Sequence, residues 1–584
     1  MDYQPHLEDI ATILFTVLDA PARLQALACH AQTDADLMRQ VLDQAGKFVA
    51  ERIAPLQRVG DEVGCRWEAG SVTTPPGFKA AYQAFWQAGW PALACAPQHG
   101  GQGLPIALEA ILYEMLSAAN HGWTMAPGLL PGAYDCLAHH GSDALKLAYL
   151  DKLASGEWLA TMCLTEAHAG SDLGLVRTRA TAQPDASYRL AGTKIFISGG
   201  EHDLCDNIVH LVLARLPEAA AGTKGLSLFL APKFLPGGAR NTIVCERIEE
   251  KMGLHGSPTC VLRFDDACAW LVGKPNCGLQ AMFVMMNAAR LHVAMQGLGL
   301  LDAAWQKADA YARERRQLRA PQPPGAPGGG PDLIAGHPAI RRILDTQRAW
   351  IDGGRVLAYQ TALELDLAKH HPDAAQRASA QRWCTLVTPV LKAAFTQQAF
   401  HGASECLQVL GGHGYVREWG LEQIVRDARV TMIYEGTNEI QAIDLLLRKV
   451  LADGGSGLGA LLAELGAALD AREPDQSVVL RRFAALQLLT AKLVSACRSD
   501  ATMAYWVAED FLRATALALM GWAWMKILTR TKTQASQARY AGRWLAPADA
   551  LRRWVLPEFD MRLSIIAKRI AGDTGATLWP ALPA

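Results

Sequence analysis

The hydrophobic period of this chain changes twice, and that limits the folds open to it. Residues 34–159 are rich in Ala, Leu and Gln at helical spacing, broken by turn clusters such as Pro75-Pro76-Gly77 and Gly100-Gly101-Gln102-Gly103. Across 161–272 the pattern shortens into β-like runs at 188–197, 208–215, 226–230, 242–245 and 260–264, separated by Gly, Pro and Asp turns. Beyond Gly278 the helical spacing returns over 279–316, 339–369 and 377–409, each run long enough for a bundle helix, with a Pro/Gly-rich loop at 320–336. A last helical stretch begins at Leu458, after a Gly454-Gly455-Ser456-Gly457 linker, and reads as an appended α domain. An α, β, α order implies a mainly α protein with a central β domain, a small antiparallel sheet or barrel. The expected units are an N-terminal extension at 1–33, a helical domain at 34–160, a β domain at 161–275, a second helical domain at 276–452 and an extra helical domain at 453–584.

Half of the 584 residues are hydrophobic, enough for several well-filled cores. A net charge of −1 gives no general attraction to nucleic acid or to an anionic membrane. The 13 Cys form no CxxC pair and no Cys/His grouping at zinc spacing, so reduced core thiols and no metal are expected. Residues 1–9 are acidic and polar, unlike a signal peptide, and the longest apolar stretch, 514–525, is interrupted by Thr515 and too short to span a bilayer. The cytoplasm is the expected compartment.

One carboxylate stands where it can do chemistry. Glu435 lies in the turn Tyr434-Glu435-Gly436-Thr437, after the apolar residues Val430, Met432 and Ile433. The residues after it read as a helix with Ile440, Ile443, Leu446, Leu447 and Val450 on one face, Thr437 as N-cap, and Arg448 and Lys449 near the C-terminal end. A helix N-terminus favours the charged form by at most ~2 kcal/mol, whereas a dry apolar pocket raises a carboxyl pKa by about 3 to 5 units. If burial wins, Glu435 becomes a base able to remove a weakly acidic C–H proton. Taken alone, a Glu in a turn ordinarily caps or solvates it.

Two further segments carry polar groups at close-approach positions. In residues 162–172, small side chains and Gly170 admit a ligand, while Thr165 and Ser171 offer hydroxyls to a planar heterocycle or carbonyl. In residues 194–200, Phe196 and Ser198 share one face at period two, suited to stacking on and bonding an isoalloxazine. Taken alone, the first segment reads more readily as a hairpin loop and the second as a half-buried strand end.

Four separated motifs, taken in order, resemble the acyl-CoA dehydrogenase family: residues 164–172, residues 194–200, Gln408-Val409-Leu410-Gly411-Gly412-His413-Gly414-Tyr415, and Arg426-Asp427-Ala428-Arg429 through Tyr434-Glu435-Gly436-Thr437. The resemblance covers roughly 34–450. It implies a helical N-terminal domain, a middle β-barrel and a four-helix C-terminal domain. It also implies bound FAD and the α,β-dehydrogenation of an acyl-CoA thioester to a trans-2-enoyl-CoA, as in β-oxidation. Glu435 would take the α-proton while hydride passes to flavin N5, and its backbone N–H, with a flavin ribityl hydroxyl, would hold the thioester oxygen. The family's other base position is occupied here by Ala289, which cannot act.

Carried over by motif, Met162, Leu164 and Thr165 would line the flavin ring, with Phe196 and Ser198 on its other side and Thr437 and Glu439 near it. Arg315, Gln408, Gly411 and Gly412 would contact the FAD pyrophosphate and adenosine from a neighbouring subunit. Ser171, Asn287, Arg290, Tyr434 and Gly436 would contact the substrate. An electron-transfer flavoprotein is the implied acceptor, and a homodimer the implied assembly. Leu318 replaces the family's usual aromatic, His337-Pro338 replaces a His-Gln pair, and Asn287 stands where medium-chain enzymes carry Asp. With the extra C-terminal helices, these departures look more like the longer subgroup that includes 3-methylmercaptopropionyl-CoA dehydrogenase, acting on short or medium acyl-CoA. Alternatives on the same fold are an acyl-CoA oxidase and a DNA-associated stress-response relative, although the segment from Gly457 is only mildly basic, with its Arg residues dispersed.

Overall fold

The computed structural model describes residues 2–321, 330–531 and 538–572, with the side chains of Asn287 and of residues 538–542 outside the description. The most apolar helix of the N-terminal half, α1 (Ile106–Thr124), is buried on almost every side and forms its core. Its backbone leaves helical geometry at Asn120 (φ −160°, ψ 91°), whose Oδ1 accepts the Trp123 N–H at 3.0 Å. A short hairpin, β1 (Arg66–Glu68) and β2 (Ser71–Thr73), interrupts this helical region and was not expected.

The central sheet contains β3 (Leu159–Cys163), β4 (Arg179–Ala182), β5 (Tyr188–Ser198), β6 (Ile208–Arg215), β7 (Leu226–Pro232), β8 (Ile243–Ile248) and β9 (Thr259–Val272). The order β6-β4-β5-β9-β7 closes because β7 pairs back onto β6, giving a barrel, with β3 beside β6 and β8 beside β9. It is not purely antiparallel: β3 and β4 both run parallel to β6. β6 is buried at every position of 208–214, which suits a strand enclosed on both faces. The barrel interior is filled by Cys163, Leu190, Val212, Phe229, Leu262 and Phe264, among others.

The three long spans expected from helical spacing form α2 (Gly278–Glu314), α3 (Pro338–His370) and α4 (Ala374–Val409). Two shorter helices, α5 (Leu421–Arg429) and α6 (Asn438–Ile443), follow, then α7 (Ser456–Ala467), α8 (Pro474–Ser499), α9 (Met503–Thr531), α10 (Ala538–Ala550) and α11 (Pro557–Ile570). By length and composition α9 could cross a bilayer, which the 514–525 stretch alone could not. It is instead packed inside the protein: Trp524 Nε1 donates to the Ala349 carbonyl at 2.9 Å, and the Arg513 guanidinium lies 4.6 Å from the Trp350 ring centre.

A buried polar network joins distant parts of the chain. Arg355 donates to Glu114 of α1 at 2.7 Å and to Asp302 of α2 at 2.9 Å, and all three side chains are inaccessible to solvent. Tyr359 donates to Glu114 at 2.6 Å, Tyr3 of the N-terminal extension donates to Asp302 at 3.2 Å, and Arg543 of α10 reaches Asp352 at 2.8 Å. All thirteen cysteines are free.

Candidate active site

The Glu435 turn is built by two helix ends. α5 stops at Arg429, a tight turn at Val430–Met432 follows, and α6 begins behind Thr437, whose hydroxyl accepts the Ile440 N–H at 3.3 Å as expected of an N-cap. The apolar residues before Glu435 thus end a helix. α6 is shorter than its apolar spacing suggests, because wider π-type turns take over at Asp444–Val450. The inward face consequently carries Gln441, Ala442, Leu445, Leu446 and Val450, while Ile440, Ile443 and Leu447 are only half-buried.

Between the helices, Glu435 and Gly436 both adopt left-handed backbone, with φ 54° and 83°. A Cβ on Gly436 would lie 2.7 Å from the Gln441 amide nitrogen, so only glycine fits. That amide, fully buried, donates to the Glu435 carbonyl at 3.0 Å. From beneath, the inaccessible Lys392 of α4 donates to the Gly436 carbonyl at 2.7 Å and to Asn438 Oδ1 at 3.1 Å. Tyr434 turns inward: its hydroxyl donates to Gln296 Oε1 at 2.6 Å and lies 3.1 Å from Nε2 of His121, just past the break in α1.

Burial pushes the Glu435 carboxyl up to about 7, and the positive charges of Arg290 and Lys392 only partly oppose it. Burial likewise brings Lys392 down to about 7, against the pull of Glu435. The desolvation considered from sequence therefore outweighs the favourable end of α6. Arg290 is buried, 3.4 Å from Asp444, and its Nε has no hydrogen-bond partner among the described residues. Glu439 is exposed and is held below the usual carboxylate range, first by the Thr437 hydroxyl. The Asn287 side chain lies outside the described residues.

On the barrel side, Thr165 and Ile195 are joined by an Ile195 N–H donating to the Thr165 carbonyl at 2.9 Å. A buried pin holds the loop: Lys194 donates to Glu166 at 2.9 Å and to the Leu164 carbonyl at 2.8 Å, while Glu166 also accepts from Thr178 Oγ1 at 2.6 Å. Met162, Leu164, Thr165 and Ser198 are half-buried, and Ser171 is exposed. The simple period-two placement of Phe196 and Ser198 does not hold, because β5 bulges between Lys194 and Ile197 and Phe196 takes φ 58°. The bulge leaves Phe196 61% exposed. An aromatic ring held out in left-handed backbone beside hydroxyl-bearing residues fits the flavin that the resemblance implies. A Cβ on Gly199 would lie 3.5 Å from that of Ala126, and Met125 Sδ is 3.8 Å from the Tyr434 hydroxyl. Both motifs therefore flank the Met125-Ala126 turn.

A third group stands at the far end of α2 and α4. Arg315 and Gln408 are exposed there, and a Cβ on Gly411 or Gly412 would meet open space. Tyr311 and His413 Nδ1 are 2.9 Å apart, tying the two helix ends together. Among the described residues, no hydrogen bond, ion pair or ring contact links Arg315, Gln408, Gly411 or Gly412 to Thr165, Phe196 or Glu435. The stems of the 320–336 loop pair through Arg316 and Leu333, and its tip lies outside the described residues.

The sequence reading did not single out Lys392, Gln441, Gln296, His121 or the Lys194–Glu166 pin. Lys392 had a visible signal, a lone cation amid Val387, Val390, Leu391, Ala393, Ala394 and Phe395, all buried. Gln296 and His121 gave none, since they reach Tyr434 across 138 and 313 residues of chain.

Domain models of the acyl-CoA dehydrogenases match the chain over 36–157 (N-terminal domain), 161–267 (middle domain) and 276–450 (C-terminal domain). The 3-methylmercaptopropionyl-CoA dehydrogenase of Ruegeria pomeroyi is 40% identical over 99% of each chain. Among solved structures, Caenorhabditis elegans ACDH-11 in complex with C11-CoA matches with a TM-score of 0.75 at 20% identity, covering 99% of this chain and 97% of that one. An acyl-CoA dehydrogenase of Bacillus anthracis complexed with FAD matches with a TM-score of 0.71 at 18% identity, covering 95% and 94%. The chain belongs to the acyl-CoA dehydrogenase family of FAD-dependent oxidoreductases.

Proposed function

We propose that this protein dehydrogenates a short or medium acyl-CoA thioester, 3-methylmercaptopropionyl-CoA among the candidates, to the trans-2-enoyl-CoA, with Glu435 as the base. The observation that carries this reading is a single carboxylate, pushed up to about 7 by burial, in a turn fixed from three sides. The α-proton of a thioester is weakly acidic, so a base near neutrality removes it better than a solvated carboxylate does. Glu435 takes that proton onto its carboxylate, while the carbonyl oxygen gathers negative charge. The Glu435 backbone N–H, which has no acceptor among the described residues, is the chain's donor to that oxygen. FAD, when bound, supplies at N5 the acceptor for the hydride leaving Cβ.

Thr165, Phe196 and Ser198, with Met162 and Leu164, hold the flavin ring, while Thr437 and Glu439 stand near it. Ser171 and Arg290 face the CoA thioester, and Asn287 sits one helical turn before Arg290. With its hydroxyl directed inward, Tyr434 offers the substrate its ring and main chain. The exposed Arg315, Gln408, Gly411 and Gly412 take the FAD pyrophosphate of a second subunit, which makes the functional unit a homodimer. Thirteen unpaired thiols fit a reducing compartment, the cytoplasm; the family resemblance implies an electron-transfer flavoprotein as acceptor.

Anaerobic flavin bleaching by a panel of acyl-CoAs tests the reading. Glu435→Gln is expected to retain FAD and bind acyl-CoA but to lose at least ~100-fold in flavin reduction, the lower range for general base catalysis. Bleaching at the wild-type rate would place the base elsewhere, and stoichiometric peroxide formed in air would make the protein an oxidase.

A further inference from the structure

We propose that Lys392 is a positioning residue for the base: its buried ammonium fixes the Glu435-Gly436 turn from beneath and keeps the half-buried Glu435 able to ionise. The proposal rests on Glu435 being the base. A lysine is rarely left in a protein interior, because removing an ammonium from water costs several kcal/mol unless partners compensate. Lys392 is inaccessible, yet among the described residues its Nζ donates to just two acceptors, the Gly436 carbonyl at 2.7 Å and Asn438 Oδ1 at 3.1 Å. Both belong to the catalytic turn. Asn438 is itself clamped: its Oδ1 also accepts from Thr396 Oγ1 at 3.1 Å, and its Nδ2 donates to the Ala393 carbonyl at 3.1 Å. One turn of α4, residues 392–396, therefore grips the start of α6 by two side chains and one backbone carbonyl.

Two mechanical consequences follow for the reaction. The Gly436 carbonyl belongs to the peptide after the left-handed pair, so anchoring it sets the direction of the Glu435 main chain and of its free N–H. The charges facing this point are Glu435 in the turn, Glu439 on α6, Arg290 on α2 and Lys392 on α4. Arg290 is committed to Asp444, which also holds Lys449 at 3.1 Å. Lys392 is thus the cation whose hydrogen bonds go to the catalytic turn itself. Without it, an ionised Glu435 would lose, at and below neutral pH where Lys392 is protonated, one of its two nearby positive charges.

The test uses the FAD-loaded enzyme carrying Lys392→Met, Lys392→Gln or Glu435→Gln. Two readouts are followed: the pH profile of anaerobic flavin reduction, and infrared titration of the Glu435 carboxyl by difference against Glu435→Gln. In both Lys392 variants the carboxyl is expected to titrate higher by roughly 1 to 3 pH units, as when an adjacent opposite charge is lost. The rate near neutral pH should fall ~10-fold or more and recover as pH rises by the same interval. Lys392→Gln, which keeps a donor for the Gly436 carbonyl, should recover more fully at high pH than Lys392→Met. If both variants titrate and respond to pH as the wild type does, the inference is wrong, whatever happens to the absolute rate. Should Lys392→Met fail to fold, Lys392→Gln still gives both readouts. Wild-type bleaching by Glu435→Gln would instead refute the base assignment, and the infrared titration would still report whether Lys392 and Glu435 are coupled.

Discussion

Glu435 pairs an unfavourable backbone with an unfavourable environment, and both are maintained by neighbours. A non-glycine residue at φ 54° costs on the order of 1 to 3 kcal/mol, and such a conformation persists only where surrounding contacts over-determine it. Here the Gln441 amide, the Lys392 ammonium and the Thr437 cap supply those contacts. Because burial lifts the carboxyl to about 7, the ionised and active form should grow in as pH rises through that value. Stopped-flow flavin reduction should therefore increase with pH and level off above it; a flat profile from pH ~5 to ~8 would exclude Glu435 as the titrating base. The same shift has a stability cost. Between the ordinary carboxyl pKa and about 7 the folded state holds a proton that the unfolded chain has lost, so this group's contribution to stability declines as pH rises across that window. Gly436→Ala should destabilise the protein by about 1 to 3 kcal/mol in denaturant unfolding, since alanine must accept φ 83° and a 2.7 Å contact. Glu435, Gly436 and Thr437 were legible because turn chemistry is local. Lys392 stood out only as a lone cation in an apolar run, and its place beneath the turn was not legible, because a lysine on a helix is ordinarily solvated.

At the level of elements, the barrel and helices were legible where one period ran unbroken and failed where it was interrupted. The runs at 188–197 and 208–215 became β5 and β6 with nearly the same bounds. The bulge in β5 was not visible in sequence, and it decides how Phe196 is presented. Lys194 is the reason that bulge matters, since it buries its ammonium against Glu166 just before it. For Glu166, burial alone would raise the pKa, but Lys194, Thr178 and two backbone N–H groups together bring it below the usual carboxylate range. Its contribution to stability is consequently present above the ordinary Glu pKa and lost as pH falls below it. Lys194→Met leaves that carboxylate without its buried cation, though still hydrogen-bonded by Thr178 and two backbone N–H groups, and should cost about 3 to 5 kcal/mol in denaturant unfolding, with faster release of FAD. Unchanged stability would show that the pair is dispensable. A similar lesson comes from Gly353-Gly354 within α3, where each glycine costs about 1 kcal/mol relative to alanine. The reason lies in packing: a Cβ on Gly353 would meet Trp524 Nε1 at 2.9 Å and the Met520 methyl at 2.7 Å.

Over the whole molecule, the N-terminal extension and the C-terminal helices are built into the central bundle. Tyr3, Glu114, Asp302, Arg355 and Asp352 with Arg543 connect segments more than five hundred residues apart in sequence. The glycine stretch at 454–457 reads as a flexible tether in sequence, but Gly455 donates to the Val450 carbonyl at 2.7 Å and α7 starts at Ser456, so the chain turns there within the fold. Calorimetry of the FAD-loaded protein should accordingly show no separate transition for the C-terminal helices, and deletion of 456–584 should give insoluble or unfolded protein by exposing Trp350 and the Gly353 face. An independent melting step for those helices would contradict this. The sequence by itself determined the α, β, α order, the four motifs and the one carboxylate in a glycine turn, because periodicity, capping and turn preference act over a few residues. Only the tertiary structure decided how far Glu435 is buried, which cation sits beneath it, and how Phe196 is aimed. Burial and charge at a point depend on side chains brought there from α1, α2, α4 and the barrel, and no local pattern records that convergence.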